Sequence, residues 1–89
     1  MKIKEGFVLR PLLGEHIVAG EGLAQVNFNK IISLNGSAAW LWENVVGKEF
    51  TEKDLVDLLL SRYDVTEEVA SADVHTFVSN LLEGGVIEQ

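Results

Sequence analysis

The side chains with reactive chemistry to offer are two histidines, His16 and His75, fourteen carboxylates and a scatter of serines. Metal ligands cluster, yet the histidines stand far apart and neither has a His or Cys beside it. Ser33, Ser37, Ser61, Ser71 and Ser79 lack the tight glycine turn that exposes a nucleophilic serine. The carboxylate pairs Asp54/Asp57 and Glu67/Glu68 fall at expected helix starts and exposed faces, where capping and solvation account for them. Gly20-Glu21-Gly22 is too short for a phosphate loop. No acid–base pair, activated nucleophile or ligand set emerges. The sequence therefore predicts a protein that is not an enzyme, with no metal and no cofactor.

The elements around these residues are clearer than any chemistry on them. Residues 7–13, FVLRPLL, have extended character, and Pro11 restricts them to an edge strand or a strand end. A turn at Gly14-Glu15 leads to a second strand over residues 16–19, and Gly20-Glu21-Gly22 gives a second turn. From Ala24 the pattern alternates: Ala24, Val26 and Phe28 lie on one face, Gln25, Asn27 and Asn29 on the other. This alternation would put Lys30 on the apolar face with Ile32 and Leu34, so an edge position or a bulge near Asn29–Lys30 is expected.

Three helices follow. Asn35 is an N-cap ahead of the stripe Ala38, Leu41, Trp42, Val45 and Val46, which Gly47 ends; Trp40 lies off that stripe, placed to cover a neighbouring element. Thr51 opens a second helix, with Asp54 completing a shortened capping box and Leu55, Leu58 and Leu59 on its apolar face. Thr66 caps a third, with the stripe Val74, Phe77, Val78, Leu81 and Leu82, closed by Gly84-Gly85. Val86-Ile87-Glu88 either returns as a strand or simply packs. The fold class is α+β: three N-terminal antiparallel strands, then three helices, winged helix-turn-helix-like, in one domain spanning residues 1–89.

Composition agrees with a small domain. A chain of 89 residues buries only about 60–65% of its unfolded surface, so stability will be modest. The absence of cysteine excludes disulfides and fits a cytoplasmic setting. No signal peptide is visible behind MKIKEGF, and no stretch nears the roughly 20 apolar residues of a membrane span, so no membrane partner is expected. Net charge is −7, unevenly spread: residues 1–32 carry four basic and three acidic side chains, the remainder three basic and eleven acidic. The N-terminal part is thus the less repulsive surface for an acidic partner. A recognition helix over residues 67–83 has no Lys or Arg and carries Glu67, Glu68, Asp73 and Glu83. Phosphate would be repelled, so no nucleic-acid partner is expected.

Leu34-Asn35, Ala38/Ala39, Leu41-Trp42, Gly47, Thr51, the Leu55/Leu58/Leu59 helix, Tyr63-Asp64, Asp73-Val74, Phe77-Val78, Leu81 and Gly85-Val86-Ile87 occur in an order and spacing that resembles the PqqD family. This is the coenzyme pyrroloquinoline quinone synthesis protein D family, a precursor peptide recognition element for ribosomally made peptides. The resemblance covers roughly residues 5–88. It implies a non-catalytic adaptor that binds the leader of a precursor peptide by strand addition to the third strand, against the third helix. It further implies that the adaptor presents the peptide to a modifying enzyme such as a radical SAM protein.

On that reading the edge is residues 25–32, with Asn27, Asn29 and Lys30 as polar contacts and Phe28 and Ile31 as apolar ones; the helix contributes Val74, His75, Val78 and Leu82. The helical stripe must also make the core, so Val74 and Val78 carry both readings. The exposed edge serves equally for pairing with a second copy. The alternative function is accordingly a winged-helix oligomerisation or regulatory module acting as a homodimer.

Overall fold

Three side-chain caps set the three helices among the described residues. The Asn35 carboxamide accepts from the Ala38 N–H at 2.9 Å and starts α1 (Gly36–Val45). Thr51 and Asp54 form a reciprocal capping box, with Thr51 N–H to Asp54 Oδ2 at 2.9 Å and Asp54 N–H to Thr51 Oγ1 at 3.1 Å, at the start of α2 (Glu52–Arg62). Thr66 Oγ1 accepts from Val69 N–H at 3.2 Å and opens α3 (Glu67–Glu83). Each cap satisfies a donor that helix geometry leaves unpaired, and each contributes about 1 kcal/mol. All three stand where the sequence predicts them.

The computed structural model describes residues 1–22 and 31–88. Before the helices come β1 (Lys2–Ile3), β2 (Phe7–Leu12), β3 (Glu15–Gly20) and β4 (Ile32–Leu34). β2, β3 and β4 form an antiparallel sheet in that order, with Phe7 opposite Gly20, Leu12 opposite Glu15, His16 opposite Leu34 and Val18 opposite Ile32. Pro11 lies on β2, an edge strand among the described residues, as its missing N–H requires. The hairpin turn is Leu13-Gly14, one residue earlier than expected, with φ of 52° and 80°. Two successive positive φ values match the right-handed twist of the flanking strands, which selects this turn despite its cost to leucine.

β5 (Ile87–Glu88) resolves the open question about the tail. It pairs antiparallel with β1, Lys2 opposite Glu88 and Ile3 opposite Ile87, and the Lys4 N–H donates to the Val86 carbonyl at 2.9 Å. The sequence reading contained no β1, because a two-residue strand is too short to show a period.

The core lies between the β2–β4 sheet and the helices. Val18, Leu41, Leu55, Val74, Leu81 and Val86 are fully buried at its centre. Trp42 is buried with them, while half-buried Trp40 stands edge-on to Tyr63 and takes the Arg62 guanidinium over its ring at 5.0 Å. Trp40 therefore seals the end of α2. α2 packs mainly on α3 and also on α1, the sandwiched position its wide apolar arc implies. No helix among the described residues is long and apolar enough to cross a membrane.

Candidate functional site

Among the described residues β4 has a strand neighbour on one side only, β3. Backbone N–H and C=O groups on alternate residues of such a strand point away from the sheet, unpaired. Along β4 burial alternates: Ile32 and Leu34 face the core and Ser33 is exposed. The alternation expected for the third strand holds for this part. The bulge expected at Asn29–Lys30, and the candidates Asn27, Phe28, Asn29 and Lys30, lie outside the described residues.

Two recesses open along the β4 side of the molecule, with α3 as their far wall. One, of about 170 Å³, has Leu34, Ala38, Leu41, Leu59 and Phe77 as apolar lining and Ser33, Asn35, Ser37, Asp73, Thr76 and Asn80 as polar lining. The other, of about 260 Å³, is bounded by Ile31, Ile32, Ser33, Asn80 and Glu83. Ser33 and Asn80 line both, so the recesses form one cleft running between the strand and the helix. Two further depressions are larger but shallower; one lies by β2 and α1, the other by the α1–α2 turn.

The helix wall is a single face. Asp73, Thr76, Phe77, Asn80 and Glu83 recur at steps of three, one, three and three, which keeps them together at about 100° per residue. The core residues Ala70, Val74, Phe77, Val78 and Leu81 form the adjoining face, and Phe77 belongs to both. The helix positions selected from sequence lie off the cleft-lining face. Val74 and Val78 are buried in the core, His75 is exposed, Leu82 is half-buried against the core, and none of the four lines the cleft. Of their two readings, core is the one that fits Val74 and Val78. Ile31 does reach the cleft, at its lip, and is 87% exposed.

Sequence reasoning passed over Ser33, Asp73, Thr76 and Asn80 as site residues. The available signal was a polar stripe, Asp73, Thr76 and Asn80, at helical spacing beside the apolar one. The charged side chains lining the cleft among the described residues, Asp73 and Glu83, are both acidic. No group of three or more His, Cys, Asp or Glu side chains able to hold a metal converges among the described residues. Chemically the cleft offers an apolar base, a polar rim and a strand edge. That set suits an extended chain, with backbone pairing on one side and a side chain seated beneath.

No curated protein matches the chain in sequence. Among solved structures, the one described as "TbiB1 in Complex with the TbiA(beta) Leader Peptide" superposes with a TM-score of 0.72 at 17% identity, covering 99% of this chain and 95% of that chain. At this identity the likeness is one of fold, and it takes in the sheet, the three helices and the terminal strands. The model of the family described as "Coenzyme PQQ synthesis protein D (PqqD)" matches residues 15–87, from the start of β3 to the first residue of β5. With four-fifths of its length matched, and with the strand–helix order that the resemblance implied, the chain belongs to the PqqD family.

Proposed function

We propose that this protein is a non-catalytic adaptor that binds the leader segment of a ribosomally synthesised precursor peptide and presents it to a modifying enzyme. The observation that carries the reading is the edge of β4, unpaired among the described residues, opening onto a cleft walled by α3. The leader adds as a strand to β4, so backbone hydrogen bonds supply sequence-tolerant affinity and the recess over Leu34 and Phe77 supplies selectivity. Family membership supports it, and so does the likeness of fold to a protein solved with a leader peptide.

Ile31, Ser33, Leu34, Phe77 and Asn80 are the described contacts in this proposal. Asn27, Phe28, Asn29 and Lys30 immediately precede Ile31 and join them on sequence grounds. The modifying enzyme is of the radical SAM type by family resemblance, and the adaptor acts in the cytoplasm, where ribosomal precursors are made.

The test is calorimetry against the leader of a precursor peptide encoded beside this protein's gene. Binding at micromolar concentration or tighter is expected, with amide shifts at Ser33 and Asn80 in a parallel titration. Absence of both heat and shifts at millimolar peptide sinks the proposal.

A further inference from the structure

A strand seated between β4 and α3 has two edges, and β4 can pair with only one. The outer edge faces α3, where unpaired N–H and C=O groups shielded from water would be costly. Thr76 and Asn80 stand on that wall. Neither side chain has a hydrogen-bond partner among the described residues; Ser71 and Ser79 on the same helix have none either, but they do not line the cleft, whereas Asn44 and Ser61 are spent on their own helices. The Asn44 carboxamide donates to the Trp40 carbonyl at 2.8 Å, and the Ser61 hydroxyl donates to the Leu58 carbonyl at 2.7 Å, each turned back onto its own helix. Thr76 and Asn80 keep their hydrogen-bonding capacity for the cleft.

The spacing also fits. Four helical residues rise about 6 Å, and successive outward-facing residues of a strand repeat at about 6.7 Å. A carboxamide offers one acceptor and two donors, and a hydroxyl one donor and two lone pairs. Both match the alternating N–H and C=O of a strand edge.

We propose that Thr76 and Asn80 form a polar rail on α3 that hydrogen-bonds the outer edge of the bound strand. The rail recognises backbone, so it holds any extended segment without reading its side chains, and register is left to the side chain seated in the recess. This inference rests on the reading that the cleft takes an extended peptide.

The experiment uses a probe selected on the protein itself. A phage-displayed library of random twelve-residue peptides is enriched on the full chain, and the strongest binder is synthesised and mapped by amide shifts. Single N-methyl groups are then placed at each position, for the native chain and for Asn80→Ala, an exposed helix position where alanine favours the helix. Asn80→Ala is expected to weaken the parent probe about fivefold, the scale of one neutral hydrogen bond. One alternate set of N-methyl positions, those facing β4, should weaken binding equally in both proteins. At one position of the other set, the loss seen with the native chain should disappear in Asn80→Ala. A probe that shifts β4 and α3 but binds Asn80→Ala undiminished, or shows no such coupling, overturns the rail and leaves the cleft reading standing. A library that yields no binder, or binders that shift neither element, overturns both.

Discussion

The Val86 N–H donates to the carbonyl of Leu81 at 2.9 Å, and both side chains are fully buried. Between them Gly85, at φ 73°, donates to the Leu82 carbonyl at 3.0 Å. This pair of bonds, six-to-one and five-to-two, closes α3 and turns the chain directly into β5. The end of the cleft wall is thus fixed by backbone geometry and by the contact of two core residues.

Gly85→Ala should therefore lower stability by about 1 kcal/mol. A Cβ there would meet nothing within 4 Å, so the whole cost is the left-handed backbone. Urea denaturation should show a lower midpoint at unchanged slope. A midpoint equal to that of the native chain would mean that the backbone at residue 85 relaxes without loss.

Leu13 presents the opposite case, a residue held at φ 52° with 96% of its surface exposed. Its side chain gains little from folding while its backbone is strained. Leu13→Asn, which tolerates that region, should raise stability by about 1 kcal/mol. The gain is read as a higher urea midpoint, and a lower one would show that Leu13 makes contacts worth more than the strain.

Ile31 is the apolar side chain at the cleft lip, and it is not part of the core. Ile31→Asp should leave the melting temperature nearly unchanged, since exposed substitutions typically stay within about 0.5 kcal/mol. Leader affinity by calorimetry should fall roughly tenfold through loss of apolar contact. Equal affinity in the variant would remove Ile31 from the binding surface.

The charge of the preferred leader can be read from two variants. Asp73 lines the cleft without an ion-pair partner among the described residues, so Asp73→Asn should weaken a basic leader and strengthen an acidic one, each by about two- to fivefold. Lys30→Glu should weaken an acidic leader while circular dichroism stays native. Both effects should shrink in high salt. An Asp73→Asn response that is the same for leaders of either sign would show that the carboxylate acts by shape alone.

Helix boundaries were legible because capping chemistry is local: Asn35, Thr51 and Thr66 each satisfy a donor three residues ahead, and Gly47 and Gly85 take the positive φ just past the ends of α1 and α3. The core stripe of α3 was legible from its period. The cleft face was not, because an exposed Thr76 or Asn80 on a helix reads the same whether it meets water or a ligand. What distinguishes them is the nearness of Ser33, which depends on how β4 and α3 are brought together. The Leu13-Gly14 turn also escaped, since leucine rarely takes a left-handed conformation and only the six-pair register of β2 and β3 imposes it.

Lys2 pairs with Glu88, so the described chain nearly closes on itself as a ring. A ring has no privileged opening. Joining the two ends by a short glycine-serine bridge and cutting at the Leu13-Gly14 tip should yield a circular permutant with the same cleft. In such a permutant β3 would begin the chain and β2 would end it, and the leader-binding wall would lie in its uninterrupted middle.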